Sequence, residues 1–142
     1  MSIKVQTIWT IVLSFFIIIG AGHGVACIGL LEIFGLSNFY SIGDEQLSLL
    51  PTGSYEESIG AAALFALIGH IILIISIFIK GNNKFLLKII GIIFLWISFY
   101  YLVHNLFTDS LALMGFLFGL PFLICSLVLF YRLTRQRKQA AL

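Results

Sequence analysis

The groups with chemistry to offer are three histidines, His23, His70 and His104, and a set of carboxylates placed near them in sequence or depth. Each histidine interrupts an otherwise apolar run. An imidazole changes charge near neutral pH, so the first reading is a proton or cation path, with Glu32, Glu56, Glu57 and Asp109 collecting cations at its rim. The second is haem held by two axial imidazoles, His23 with His70. The third is a metal site of His and carboxylate, with zinc the default ion. Against all three stands a neutral histidine that bonds across a helix seam and does nothing else. No two histidines share a run and no H-x-x-x-H pair occurs.

Other chemistry is missing from the pattern. There is no glycine-rich phosphate loop before a helix, no Ser-His-Asp constellation and no CxxC. Cys27 and Cys125 are expected at depths more than about 10 Å apart, whereas a disulfide needs Cα atoms within about 7 Å. They read as free thiols in apolar surroundings. Glu32 follows Leu30 and Leu31 near the end of the first run, which places it at the outer headgroups. The alternative keeps it within the bilayer as a buried acid.

The elements that position these groups follow from composition. The chain is 61% hydrophobic and 10% charged, against roughly 25% charged in soluble domains. Four apolar runs, about 5–34, 58–79, 85–107 and 110–131, are each long enough for a spanning helix of roughly 20 residues. Their apolarity is continuous rather than alternating, which excludes strand spans. The first run is too long for a signal-peptide core and reads as a true span. The expected fold is all-α, an integral membrane four-helix bundle, in one domain covering residues 1–142.

Charge gives the threading. Lys4, Lys80, Lys84, Lys88, Arg132, Arg135, Arg137 and Lys138 fall on one side of four spans, and all six acids fall on the other. The positive-inside rule then puts both termini in the cytoplasm. Gly81-Asn82-Asn83 is turn chemistry, and Thr108-Asp109-Ser110 offers capping oxygens for the fourth helix. Residues 35–57 form an outer loop in which Asp44 could cap a short surface helix reaching Leu50. Trp9 and Tyr131 suit the inner interface and Tyr100 and Tyr101 the outer one. Residues 132–142 are a basic cytoplasmic tail that continues helix four and favours anionic headgroups.

Small residues mark the seams. Gly20 and Gly24 stand in GxxxG spacing within GAGHG, as do Gly115 and Gly119 in the fourth run, and Gly69 and Gly91 add to the second and third. Such residues let helix backbones approach closely in lipid. Pro121 should kink the fourth helix. In span count and loop lengths, over most of the chain, the architecture resembles the broad DoxX-like group of small four-span proteins. That resemblance implies a fold and assigns no residues.

The leading functional reading is non-enzymatic: a self-associating or accessory subunit of a membrane complex, packed through its small-residue seams. A proton, cation, haem or metal component using the three histidines is the alternative, and a lipid- or quinone-directed membrane enzyme is the third. The expected partners are the lipid bilayer and either a second copy or another membrane protein, with no nucleic acid. The expected location is the cell membrane, of the bacterial inner-membrane kind.

Overall fold

The computed structural model describes residues 2–21, 24–37, 54–79, 81 and 83–140. Among them the chain forms helix α1 (Ile3–Phe15), strands β1 (Ile18–Ala21) and β2 (Gly24–Cys27), and helices α2 (Ile28–Ser37), α3 (Tyr55–Phe78), α4 (Asn83–Val103) and α5 (Ser110–Ala140). The class is all-α with one small hairpin. Three helical segments are long and apolar enough to cross a membrane: Glu57–Phe78, Asn83–Val103 and Ser110–Arg137.

The first apolar run departs from expectation. It is not one helix over residues 5–34. Helix α1 stops at Phe15, and β1 pairs antiparallel with β2 in the register Ile18 to Cys27, Ile19 to Ala26, Gly20 to Val25 and Ala21 to Gly24. The local sequence accounts for the break. Phe15 to Ile19 is an aromatic and β-branched run, which favours a pleated backbone. Each glycine that follows costs about 1 kcal/mol in a helix relative to alanine. Gly20 and Gly24 therefore share no helical face, and their GxxxG reading falls. Gly20 instead lets β1 lie against α5: a Cβ there would come 2.6 Å from the Leu111 side chain.

The three long helices run alternately up and down. Ser98 Oγ donates to the Ala62 carbonyl at 2.7 Å, and Gly69 faces Gly91 further along, so α3 and α4 are antiparallel. A Cβ on Gly69 would sit 3.0 Å from the Gly91 carbonyl oxygen. Trp96 Nε1 donates to Ser126 Oγ at 2.9 Å, and the Phe99 ring packs on Phe122. The Arg137 guanidinium lies over the Phe85 ring, 5.2 Å from its centroid. These contacts set α5 antiparallel to α4. Helix α1 lies antiparallel to α5, since Arg132 Nη1 donates to Gln6 Oε1 at 2.8 Å.

Helix ends are capped locally. Ser54 and Glu57 form a reciprocal capping box at the start of α3, and Asp109 Oδ1 accepts from the Leu111 N–H at 2.7 Å. Gly81, between α3 and α4, has φ +114°, a conformation that glycine adopts without strain. Helix α5 contains Pro121 and continues through the basic segment to Ala140. Arg132, Arg137 and the start of α4 thus gather at one end of the bundle with the start of α1, and Asp109 and Glu57 lie at the other.

Candidate functional site

The site is built where α1 ends. Ser14 lies in the last turn of α1, His70 in the C-terminal half of α3, and Glu32 in the second turn of α2. His70 Nε2 is 2.6 Å from Ser14 Oγ, and His70 Nδ1 is 2.9 Å from Glu32 Oε2. Ser14, His70 and Glu32 are 2%, 4% and 5% exposed. Burial to that degree demands that polar groups find partners. The broken first run is what makes this possible. The hairpin returns the chain into the body, Ile28 N–H donates to the Ile17 carbonyl at 3.0 Å, and α2 then carries Glu32 beside α3. A single helix over residues 5–34 would have carried Glu32 away to the outer rim.

Glu32 is therefore buried inside the bundle rather than exposed at its rim. Its Oε2 meets His70, while its Oε1 is buried and has no hydrogen-bond partner among the described residues. The Phe15 ring packs against the imidazole, with centroids 6.0 Å apart.

The connectivity of Ser14, His70 and Glu32 is that of a serine–histidine–carboxylate triad, which the sequence order hides. Its setting does not suit a nucleophile. Ser14 Oγ is 2.9 Å from the carbonyl oxygens of both Thr10 and Ile11, within the C-terminal turn of a helix. Carbonyls gather there, and that end carries partial negative charge. An oxyanion needs the reverse, converging N–H donors.

The remaining groups on α1 extend the polar zone. All of the buried residues of α1 are polar: Gln6, Thr7, Thr10 and Ser14. Its apolar Val5, Ile8, Trp9 and Val12 face outward. Gln6, Thr10 and Ser14 recur every four residues, so they share one face. That stripe was legible as a period-four polar pattern within the first run. Thr10 Oγ1 donates to the Gln6 carbonyl at 3.0 Å and lies 3.5 Å from Cys125 Sγ.

The other expected site residues stay apart from this cluster. His23 lies outside the described residues, as do residues 38–53 of the expected outer loop, including Asp44 and Leu50. Nothing is described of the Glu56 side chain. Glu57 closes the α3 capping box. His104 follows α4, with Nδ1 3.0 Å from the Tyr101 carbonyl oxygen. The α3–α4 register carries it past Ala62 toward the Ser54 end, away from His70. Both ring nitrogens of His70 are engaged, which leaves none for an axial bond to haem iron. Among the described residues, no three His, Cys, Asp or Glu side chains converge as a metal site. Cys27 and Cys125 are free thiols, both half-buried.

Tyr55, the first residue of α3, is 2% exposed, and its hydroxyl lacks a hydrogen-bond partner among the described residues. Burial pushes its phenol up to about 12; the nearby Gly20 backbone opposes that, and the Asp109 charge adds to it.

The chain matches no protein-family model, and no curated protein or solved structure proves similar to it. The likeness to the DoxX-like group in span count and loop lengths has no family match behind it.

Proposed function

We propose that this chain is a small multi-pass protein of the cell membrane that binds and relays a proton at Ser14, His70 and Glu32. The observation that carries the reading is the buried His70–Glu32 contact at 2.9 Å, with Ser14 on the other ring nitrogen. In one state the Ser14 hydroxyl donates to its own helix carbonyls, and Nε2–H donates to Ser14 Oγ. One further proton is then shared between Nδ1 and Glu32, and the site is neutral. In the other state the Nε2 proton has left on the Ser14 side. The shared proton stays as Nδ1–H and donates to an ionised Glu32, and the Ser14 hydroxyl turns to donate to Nε2. The two states differ by one proton and one hydroxyl rotation.

An uncompensated charge in the interior costs several kcal/mol, so the neutral state is the resting one. Substrates larger than a proton or a water molecule would have to part the helices to reach groups this buried. This reading displaces self-association as the leading one. The Gly20–Gly24 helical face does not form, and Gly69, Gly91 and Gly119 are engaged within the chain. An accessory role beside a partner is compatible with it.

The threading that goes with the proposal is four passes with both termini cytoplasmic, as the segregated charges suggest. Helix α1, 13 residues long, rises about 20 Å, and four-residue β1 adds about 13 Å. Together they match a hydrocarbon core of roughly 30 Å. Non-helical backbone at that depth is tolerated where protein covers it, and Ile19 in β1 is fully buried.

The test is proton flux into vesicles holding purified protein and a trapped pH-sensitive dye. Wild-type vesicles should dissipate an imposed pH gradient faster than vesicles with Glu32→Gln or His70→Asn at equal protein content. Equal rates would remove the proposal.

A further inference from the structure

The geometry points to the seam between α1 and α5, lined by Gln6, Thr10 and Cys125, as the route by which the proton reaches His70 and Glu32 from the basic end of the bundle. The inference rests on the proton reading above and adds the side of access and the residues that line the path. The fully buried residues of helix α1 are all polar, while its Ile3, Ile11 and Leu13 are only partly buried against the core. Ser and Thr are common in membrane-helix seams; here Gln6, Thr10 and Ser14 recur along one face of α1 and lead from the basic end to His70.

These polar groups follow one another along the seam. At the basic end Arg132 donates to Gln6 Oε1 at 2.8 Å. The Gln6 side-chain amide faces the Cys125 carbonyl at 3.5 Å. Thr10 Oγ1 lies between the Gln6 carbonyl and Cys125 Sγ. Ser14 Oγ reaches back to the Thr10 carbonyl and forward to His70. Gln6 and Ser14 are eight residues apart, about 12 Å along α1. The series thus runs from the charged end to the buried site on one face. Each hydroxyl can accept one hydrogen bond while donating another, so water entering the seam completes a chain of donors and acceptors. The Arg132–Gln6 bond closes its mouth.

Cys125 is the native reporter of this seam. In a Cys27→Ser background, protein in sealed vesicles is treated with a charged, membrane-impermeant methanethiosulfonate reagent from one side or the other. Deuterium exchange of the protonated Glu32 carboxyl is followed in parallel by its infrared band. The inference predicts modification of Cys125 from the basic side only. The thiolate is the nucleophile. Gln6→Ala should speed modification, and Thr10→Val should slow deuterium exchange at Glu32. Cys125 that is inert from the basic side, while the Glu32 band still exchanges, would overturn the route and leave the proton site standing. Absence of a Glu32 band that responds to pH would overturn both.

Discussion

His70 Nδ1 lies 2.9 Å from Glu32 Oε2, although 38 residues separate the two in sequence. Among the described residues, no other ionisable pair forms in this buried part of the bundle. Removing one partner leaves the other unpaired in an apolar interior, at a cost of roughly 3–5 kcal/mol. His70→Leu and Glu32→Leu should each destabilise the protein by about that much in detergent unfolding experiments. The double variant should lose clearly less than the two losses combined. Additive losses would show that the two side chains are not coupled.

The α3–α4 crossing rests on two glycines. A Cβ on Gly91 would lie 2.7 Å from the Leu73 side chain and 3.2 Å from the Gly69 carbonyl. Overpacking of this kind costs typically 1–3 kcal/mol. Gly91→Ala should lower the unfolding midpoint. Gly115→Ala should be tolerated, since its Cβ would meet nothing nearer than the Ile18 carbonyl at 3.9 Å. Thermal unfolding of the two variants beside wild type checks the contrast.

Much of this arrangement was legible in the sequence. Helices α3, α4 and α5 follow from runs of continuous apolarity, and two of the expected basic residues, Arg132 and Arg137, pack at one end of the bundle on Gln6 and Phe85. The first run misled because its apolarity is as continuous as that of the others. Hydropathy does not separate a helix from a buried hairpin. The local signals were Phe15 to Ile19 and the glycines after them, which weaken a helix whatever the solvent. The burial of Glu32 was hidden for the same reason, since counting rise along one unbroken helix carries it to the rim. The Ser14–His70 contact could not be read at all, because nothing local fixes which face of α1 meets α3. The capping box at Ser54 and Glu57 was readable as Ser-x-x-Glu before an apolar run.

Tyr55 gives a pH dependence. Its phenol titrates near 10 in the unfolded chain and at about 12 in the folded one. Between those values the unfolded chain binds fewer protons, so stability falls as pH rises through that window. The contribution is complete below pH 10 and absent above pH 12. Tyr55→Phe should lose less stability than wild type across the same interval, measured by unfolding midpoint against pH. Identical slopes would show that Tyr55 ionises as freely in the fold as outside it.

The two tryptophans report on the surroundings. Trp9 faces outward at 51% exposure, while Trp96 turns inward to Ser126 and packs on Phe130. Lipids brominated along their acyl chains should quench the fluorescence of Trp9, in a Trp96→Phe variant, more strongly than that of Trp96 in a Trp9→Phe variant. Equal quenching would contradict the outward orientation of that face of α1.

The most direct test of the account is infrared spectroscopy of the protein in lipid bilayers through a pH titration, read at the carboxylic C=O stretch. The account predicts a band from a protonated, buried carboxyl that disappears as pH rises, is missing in Glu32→Gln, and shifts in His70→Asn and Ser14→Ala. A spectrum in which the band is absent throughout, or persists unchanged in Glu32→Gln, would contradict the claim that Glu32 and His70 hold the proton.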